Sequence, residues 1–336
     1  MPTPSPLRTA RESRQHIKNI AAHWALVGSV VLLPLTLLPF IGWRYPLELL
    51  SHFQAQYFLA ALACAALLAL LRRWRWFAVS LGSLLLAAST VLPYAGAGRA
   101  AHADAVMPAE RTVRLLMANV LLGNRSHGRV LHLVEEADAD VLVFQEVNER
   151  WRAALAPITG RYPYIAGTPR EDAFGTLVYS RLPIEEVDVV VLGKAGRSTV
   201  CLRVIVDGAP LTIVCTHPKP PHLPTAFTLR NDQLEQVADL VGRLPRPLVL
   251  AGDLNTTMWS PWFRRLTEQT ALRSVRRGFG VLASWPAALP GFLRIPIDHV
   301  LVSDDVSVTG CRLGAPTGSD HLPLIVDLVL PPADDV

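Results

Sequence analysis

Apolar residues come in two different rhythms along this chain. In the first third they form long uncharged runs over residues 25–43, 49–71 and 76–98. Each approaches the roughly 20 residues that a helix needs to cross a bilayer. Trp24 and Trp43 bracket the first run as interfacial aromatics would. Three transmembrane helices are therefore expected within residues 21–98, after a solvated basic tail at 1–20 and before an Ala/Gly-rich linker at 99–110. A signal peptide does not fit the first run, which is too long and lacks a small-residue cleavage site.

From residue 111 the runs shorten and turn residues separate them. Residues 112–120, 141–146, 174–180, 186–192, 198–206, 211–217, 248–251, 295–302 and 322–330 read as strands. The four from 174 to 217 suggest a meander, and the last strand is expected to close a sheet. Val130, Leu131, Leu133 and Val134 have helical spacing, and Leu234, Val237, Leu240 and Val241 mark a second helix over 227–243. Ser260-Pro261 is a helix start with Ser as N-cap. Several strands are apolar at every position, which fits sheets buried on both faces.

Composition sharpens the division. Of 336 residues 51% are hydrophobic, high for a soluble domain. Nine Lys/Arg face four acids in the first 110 residues, leaving 23 against 24 in the remainder. The basic excess thus belongs to the N-terminal third, and charge gives no support to nucleic-acid binding by the rest. Arginines precede the first run and lie between the second and third (Arg72, Arg73, Arg75). With three spans, the positive-inside rule puts the N-terminus in the cytoplasm and residues beyond 99 outside it, periplasmic in a cell with an outer membrane. His52, Gln54 and Gln56 are expected near an interface, without an acid or base inside the spans to complete a polar pathway. Cys64, Cys201, Cys215 and Cys311 lack zinc spacing. They read as buried small hydrophobes, with a Cys201–Cys215 disulfide as the minority alternative.

The candidate chemistry lies at strand ends. Asn119 closes the first strand of the C-terminal region, Glu146 the second and His217 a later one. The buried run 247–251 delivers Gly252-Asp253-Leu254-Asn255, which alone reads equally as a turn or a site. Asp298 and His299 sit together in another strand, and Asp320-His321 precede the last. Arg230 and Gln233 could reach a site or be surface, while Arg273, Arg276 and Arg277 read as a solvated patch before a phosphate-facing one. Carboxylate and amide oxygens without thiolates suit a hard cation, Mg²⁺ or Mn²⁺. Imidazoles beside carboxylates suit proton transfer near neutral pH.

Met117-Ala118-Asn119, Gln145-Glu146-Val147, residues 180–184, Thr216-His217, residues 252–255, Ile297-Asp298-His299 and residues 319–323 occur in that order. As a set, the region from 112 to 330 resembles the endonuclease/exonuclease/phosphatase superfamily, in a membrane-anchored bacterial branch. The resemblance implies an α/β (α+β) four-layer sandwich, two mixed β-sheets flanked by helices, over 111–336. It implies a metal site at Glu146 with Asn119 and Asp320. Asp298 would hold His321, which orients or deprotonates water and stabilises the transition state. Asp253 would position the nucleophile or protonate the leaving group, and Asn255 and His217 would contact the phosphate. His299 stands where some branches have Tyr, and its role is structural. The expected activity is a membrane-anchored phosphodiesterase or phosphatase on a lipid or membrane-proximal phosphoester. A nuclease and a catalytically silent binding protein of the same fold are the alternatives.

Overall fold

The computed structural model describes residues 6–96 and 111–332, and the 99–110 linker lies outside the described residues. The chain divides into two compact units, residues 1–93 and 94–336.

The first unit is helical. Helix α1 (Pro6–Ile41) runs through the expected tail, α2 (Leu47–Ser51) is a single short turn of helix, and α3 (Gln54–Leu70) and α4 (Trp74–Val91) follow. Small residues fill much of its interior, beside Leu32, Leu38 and Leu68. Ala25, Ser29, Ala61, Ala65, Ser80, Ser83 and Ala87 are buried, while Val30, Val31, Leu59, Leu62 and Leu85 face outward. Small residues let helix backbones approach, and Ser29 Oγ meets Ser80 Oγ at 2.9 Å between α1 and α4. Two helical stretches, Glu12–Ile41 and Trp74–Tyr94, are long and apolar enough to cross a membrane. The expected middle span falls short of that mark. The helix stops at His52 and Phe53, leaving α3 with 17 residues, about 26 Å against a hydrocarbon thickness of about 30 Å. An acid also stands where none was expected: Glu48 is fully buried, its Oε2 3.4 Å from His52 Nε2.

The second unit holds two six-stranded mixed sheets flanked by helices. Strands are β1 (Thr112–Asn119), β2 (Val141–Gln145), β3 (Tyr164–Thr168), β4 (Thr176–Ser180), β5 (Ile184–Leu192) and β6 (Arg197–Val206). They continue as β7 (Ala209–Thr216), β8 (Leu248–Asp253), β9 (Arg273–Ser274), β10 (Asp298–Val302), β11 (Ser307–Leu313) and β12 (Leu324–Val329). One sheet has the order β11-β12-β1-β2-β4-β3 and the other β5-β6-β7-β8-β10-β9. The only parallel pairs within them are β1/β2 and β7/β8. The expected four-strand meander is corrected here. Strand β4 pairs with β2 and β3, and the chain changes sheets across Leu182-Pro183, where proline withholds a ladder donor. Nor does the last strand close its sheet, because β12 lies between β11 and β1.

Alternation along each strand explains the unbroken apolar runs. Leu115, Met117 and Val143 point between the sheets, against Leu202, Ile213, Val249 and Val300. Their neighbours Leu116, Leu142 and Phe144 point outward, under helix α5 (His127–Ala137) and helix α6 (Glu149–Ala154) with its buried Trp151. Helix α7 (Pro224–Val241) buries Leu234, Val237 and Val241. Helix α8 (Pro261–Thr270) opens as its sequence predicts, Ser260 Oγ accepting from Trp262 N at 3.1 Å. All four cysteines are free, so Cys201 and Cys215 form no disulfide.

Candidate active site

Parallel pairing aligns Asn119 with Gln145, so β1 and β2 end together, and antiparallel pairing sets Asp253 opposite Asp298. Gln145, fully buried, fastens one sheet to the other. Its Nε2 donates to Thr216 O at 2.8 Å and its Oε1 accepts from Asp253 N at 2.7 Å. That close approach explains Gly252, whose φ is +154° and where a Cβ would lie 1.9 Å from Thr216 O. A single amide therefore brings the ends of β2, β7 and β8 to one place.

Side chains at those ends form a connected chain. Asp298 Oδ2 lies 2.9 Å from His321 Nδ1, and His321 Nε2 lies 3.7 Å from Asp253 Oδ2. The same Asp253 oxygen faces His217 Nε2 at 3.4 Å and accepts from Asn119 Nδ2 at 3.3 Å. Asn119 Nδ2 also donates to Glu146 Oε1 at 2.9 Å. Glu146 sits at a positive φ of 61°, just past β2, and its other oxygen accepts from Leu122 N at 3.0 Å. Ser319 Oγ donates to Asn119 O at 2.7 Å and accepts from His321 N, tying the 319–321 turn to β1. Asp320 Oδ2 accepts from Trp285 Nε1 at 3.2 Å, while its buried Oδ1 has no hydrogen-bond partner among the described residues.

Electrostatics follows from this crowding. Burial alone would lower the His321 pKa, but Asp298 and Asp253 overcome it and push it up to about 10. Burial raises Asp253, and His321 with His217 outweighs that, leaving its carboxyl below the usual range. His299 differs. Its ring is wholly buried against Phe263, Nε2 faces Thr256 O at 2.9 Å, and burial together with Arg276 drives its pKa down to about 3.

The candidate residues are thus gathered into one neighbourhood, with particular orientations. Asn119 turns its amide nitrogen to Glu146 and Asp253 while its oxygen accepts from Leu121 N at 3.0 Å. It braces the carboxylates, and its oxygen meets the backbone. Asn255, at φ 50°, accepts at its carbonyl from Arg230 Nη1 and donates its side-chain amide to Pro218 O. Arg230 and Gln233, left between site and surface by sequence, are both buried, and Gln233 Nε2 reaches Thr216 Oγ1 at 3.2 Å beside His217. Of the three arginines, Arg277 is exposed as expected, and the other two are not. Arg276 is fully buried on the carbonyls of Val281, Leu282 and Asp298, and Arg273 bonds Val306 O. Gln145 and Ser319 had been given no role. A polar residue inside an otherwise apolar, fully buried strand was the signal that could have found Gln145.

Ligand atoms of Asp253, Asp298 and His321 all lie within 4.8 Å of one another. The hydrogen bond between Asp298 and His321 already accounts for much of that closeness. Glu146 and Asp320 are carboxylates, the donors a hard cation takes, and Asp320 keeps one buried oxygen with no hydrogen-bond partner among the described residues.

A family model described as the Endonuclease/Exonuclease/phosphatase family matches residues 118–321. Similar solved structures include an endonuclease/exonuclease/phosphatase from Beutenbergia cavernae DSM 12333, at 21% identity over 67% of this chain and 73% of that one, TM-score 0.53. A Bacteroides vulgatus endonuclease/exonuclease/phosphatase matches at 18% identity over 66% and 100%, TM-score 0.55. D. rerio TDP2 complexed with a single-strand DNA product matches at 16% identity over 65% and 99%, TM-score 0.56. At these identities the likeness is one of fold. A search among curated protein sequences found no match.

Proposed function

The chain belongs to the endonuclease/exonuclease/phosphatase family, and from that premise we propose that it is a membrane-anchored, divalent-metal-dependent phosphodiesterase. The observation that carries this reading is the chain of contacts from Asp298 through His321 and Asp253 to Asn119 and Glu146, which joins both sheets. Phosphoryl transfer calls for in-line attack and neutralised phosphoryl oxygens rather than a protein nucleophile. Glu146 and Asp320 would hold Mg²⁺ or Mn²⁺, which when bound supplies positive charge to the phosphoryl oxygens.

The remaining roles follow from the side chains. His321, kept cationic by Asp298 and Asp253, donates to the developing charge, so stabilising the transition state suits it better than deprotonating water. Asp253, ionised and held by its own contacts, orients the water that attacks phosphorus as the P–O bond to the leaving group breaks. His217 offers its ring to the phosphate, its buried Nδ1 having no protein partner. Asn255 is set beside it through Arg230 and Pro218.

Membrane anchoring is supported by the small-inside, apolar-outside packing of the helical unit. Counting α3 as a span, at the short end of the usual range, puts the catalytic unit outside the cytoplasm. Hydrolysis of bis(4-nitrophenyl) phosphate by the full chain tests the activity. It is expected to stop with EDTA, return with Mg²⁺ or Mn²⁺, and fall about 100-fold or more in Asp253→Asn and His321→Ala. Activity indifferent to chelator, or equal in both variants, contradicts the reading. Complete inertness points to the silent binding protein.

A further inference from the structure

The helical unit, taken by itself, holds a feature that hydrolysis does not use. Where the first half of α1 meets the turn between α3 and α4, two hollows of about 230 and 350 Å³ adjoin, with Asn19, Ala22 and Arg73 in the walls of both. Lys18 and Arg72 add to the cationic side of the smaller hollow. Leu26, Leu68 and Trp76 give the larger one an apolar floor. Among the described residues no carboxylate lines either hollow, and Lys18, Arg72 and Arg73 have no ion-pair partner. Gln15 Nε2 donates to Asn19 Oδ1 at 3.2 Å, which leaves the Asn19 amide nitrogen as a further donor.

The turn that presents the two arginines runs against local preference. Arg73 N donates to Leu68 O at 2.9 Å, the long bond of a Schellman turn, and Arg72 takes the left-handed position, φ 55°, that glycine ordinarily fills. A Cβ is disfavoured there, yet the position carries a cation. Orientation by the positive-inside rule needs only a count of Lys and Arg. It requires neither a shared, acid-free hollow nor an apolar floor beneath it. Three cations without a counter-ion repel one another, and an anion seated among them removes that repulsion while accepting hydrogen bonds from each. A phosphate group has the charge and the several oxygens to do so, and basic hollows between apolar helices are suited to phosphate head groups.

We propose that the two hollows form one binding site for a phosphate group, carried on an anionic lipid or free in solution. The site shares no residue with the catalytic strand ends, so it stands or falls apart from the hydrolase reading. The full chain in a non-ionic detergent, with EDTA to keep metal ions from the catalytic unit, is titrated with dioctanoyl phosphatidic acid and with dioctanoyl phosphatidylcholine, and bound lipid is counted by native mass spectrometry. Phosphatidic acid is expected to bind about tenfold or more tightly than phosphatidylcholine. Lys18→Gln on α1 and Arg73→Gln on the facing turn are each expected to weaken it about tenfold or more.

Arg75 is exposed two residues beyond Arg73 and lines neither hollow, which makes it the charge-matched control. Arg75→Gln is expected to stay within about twofold of wild type, because it removes the same charge without touching the site. Inorganic phosphate added as competitor separates the two sources. Displacement of the lipid only at far higher concentration assigns the phosphate to a lipid, and displacement at matching concentration assigns it to the free anion; both support the site. Equal binding of the two lipids, or equal losses in Arg73→Gln and Arg75→Gln as for general charge attraction, overturns it.

Discussion

Among the described residues the Asp298 carboxylate hydrogen-bonds to His321, at 2.9 Å, so its charge and geometry are separable. Asp298→Asn keeps the shape and loses the charge that holds the imidazolium. Steady-state hydrolysis of a soluble aryl phosphodiester is expected to show kcat lower by about 100-fold or more, with KM little changed. Gly252 admits no side chain, and Gly252→Ala forces Thr216 away from Gln145. Chemical denaturation should show a loss of more than about 2 kcal/mol. The residues with reactive groups were legible in sequence because charges at the ends of apolar strands have few innocent reasons to be there. Gln145 was not, since its role depends on two strands, β7 and β8, that lie about 70 and 110 positions away and reach it only after folding. The direction of the Asn119 amide was equally hidden, because Leu121 N and Glu146 compete for it in space.

At the scale of elements, β8 carries Asp253, and β10 carries Asp298 and also His299, which packs against Phe263 of the outer helix α8. His299 is neutral when folded, with a pKa near 3, whereas an unfolded histidine titrates at about 6.5. The unfolded chain therefore binds the extra proton between those values. Its contribution to stability is complete above about pH 6.5 and is lost as the pH falls towards 3. Denaturant unfolding of the full chain in detergent should show a smaller loss between pH 7 and pH 5 in His299→Gln than in wild type. An identical loss would mean that another group carries the dependence. Strands with buried runs were readable from pattern alone, but β3, β9 and β11 were missed. Tyr164, Ile165 and Thr168 on β3 are edge residues, β9 has two residues, and β11 is broken by a bulge near Gly310. Edges and bulges carry little periodicity because one face or one ladder is absent.

For the whole molecule, the two rhythms of the sequence correspond to two compact units, and under the proposed anchoring the number of crossings in the helical one would set on which side of a membrane the other works. With the N-terminus in the cytoplasm, three crossings would export the catalytic unit and two would retain it, so α3 with its 17 residues is the pivot of the proposal. A C-terminal alkaline phosphatase fusion is expected to be active, and activity only of a cytoplasmic fluorescent fusion would leave two crossings. Sequence could not settle this, because the interruption at His52 and the buried Glu48 beside it appear only when the helices pack. The central claim is that strand ends from both sheets converge on one cation and one phosphorus. Electron–nuclear double resonance on Mn²⁺ added to the full chain with a non-hydrolysable phosphodiester tests it most directly. The expected result is a ³¹P coupling to bound Mn²⁺, abolished with Mn²⁺ binding in Glu146→Gln and Asp320→Asn but retained in Asp298→Asn. Bound Mn²⁺ without ³¹P coupling, or binding unaffected by Glu146→Gln and Asp320→Asn, would contradict it.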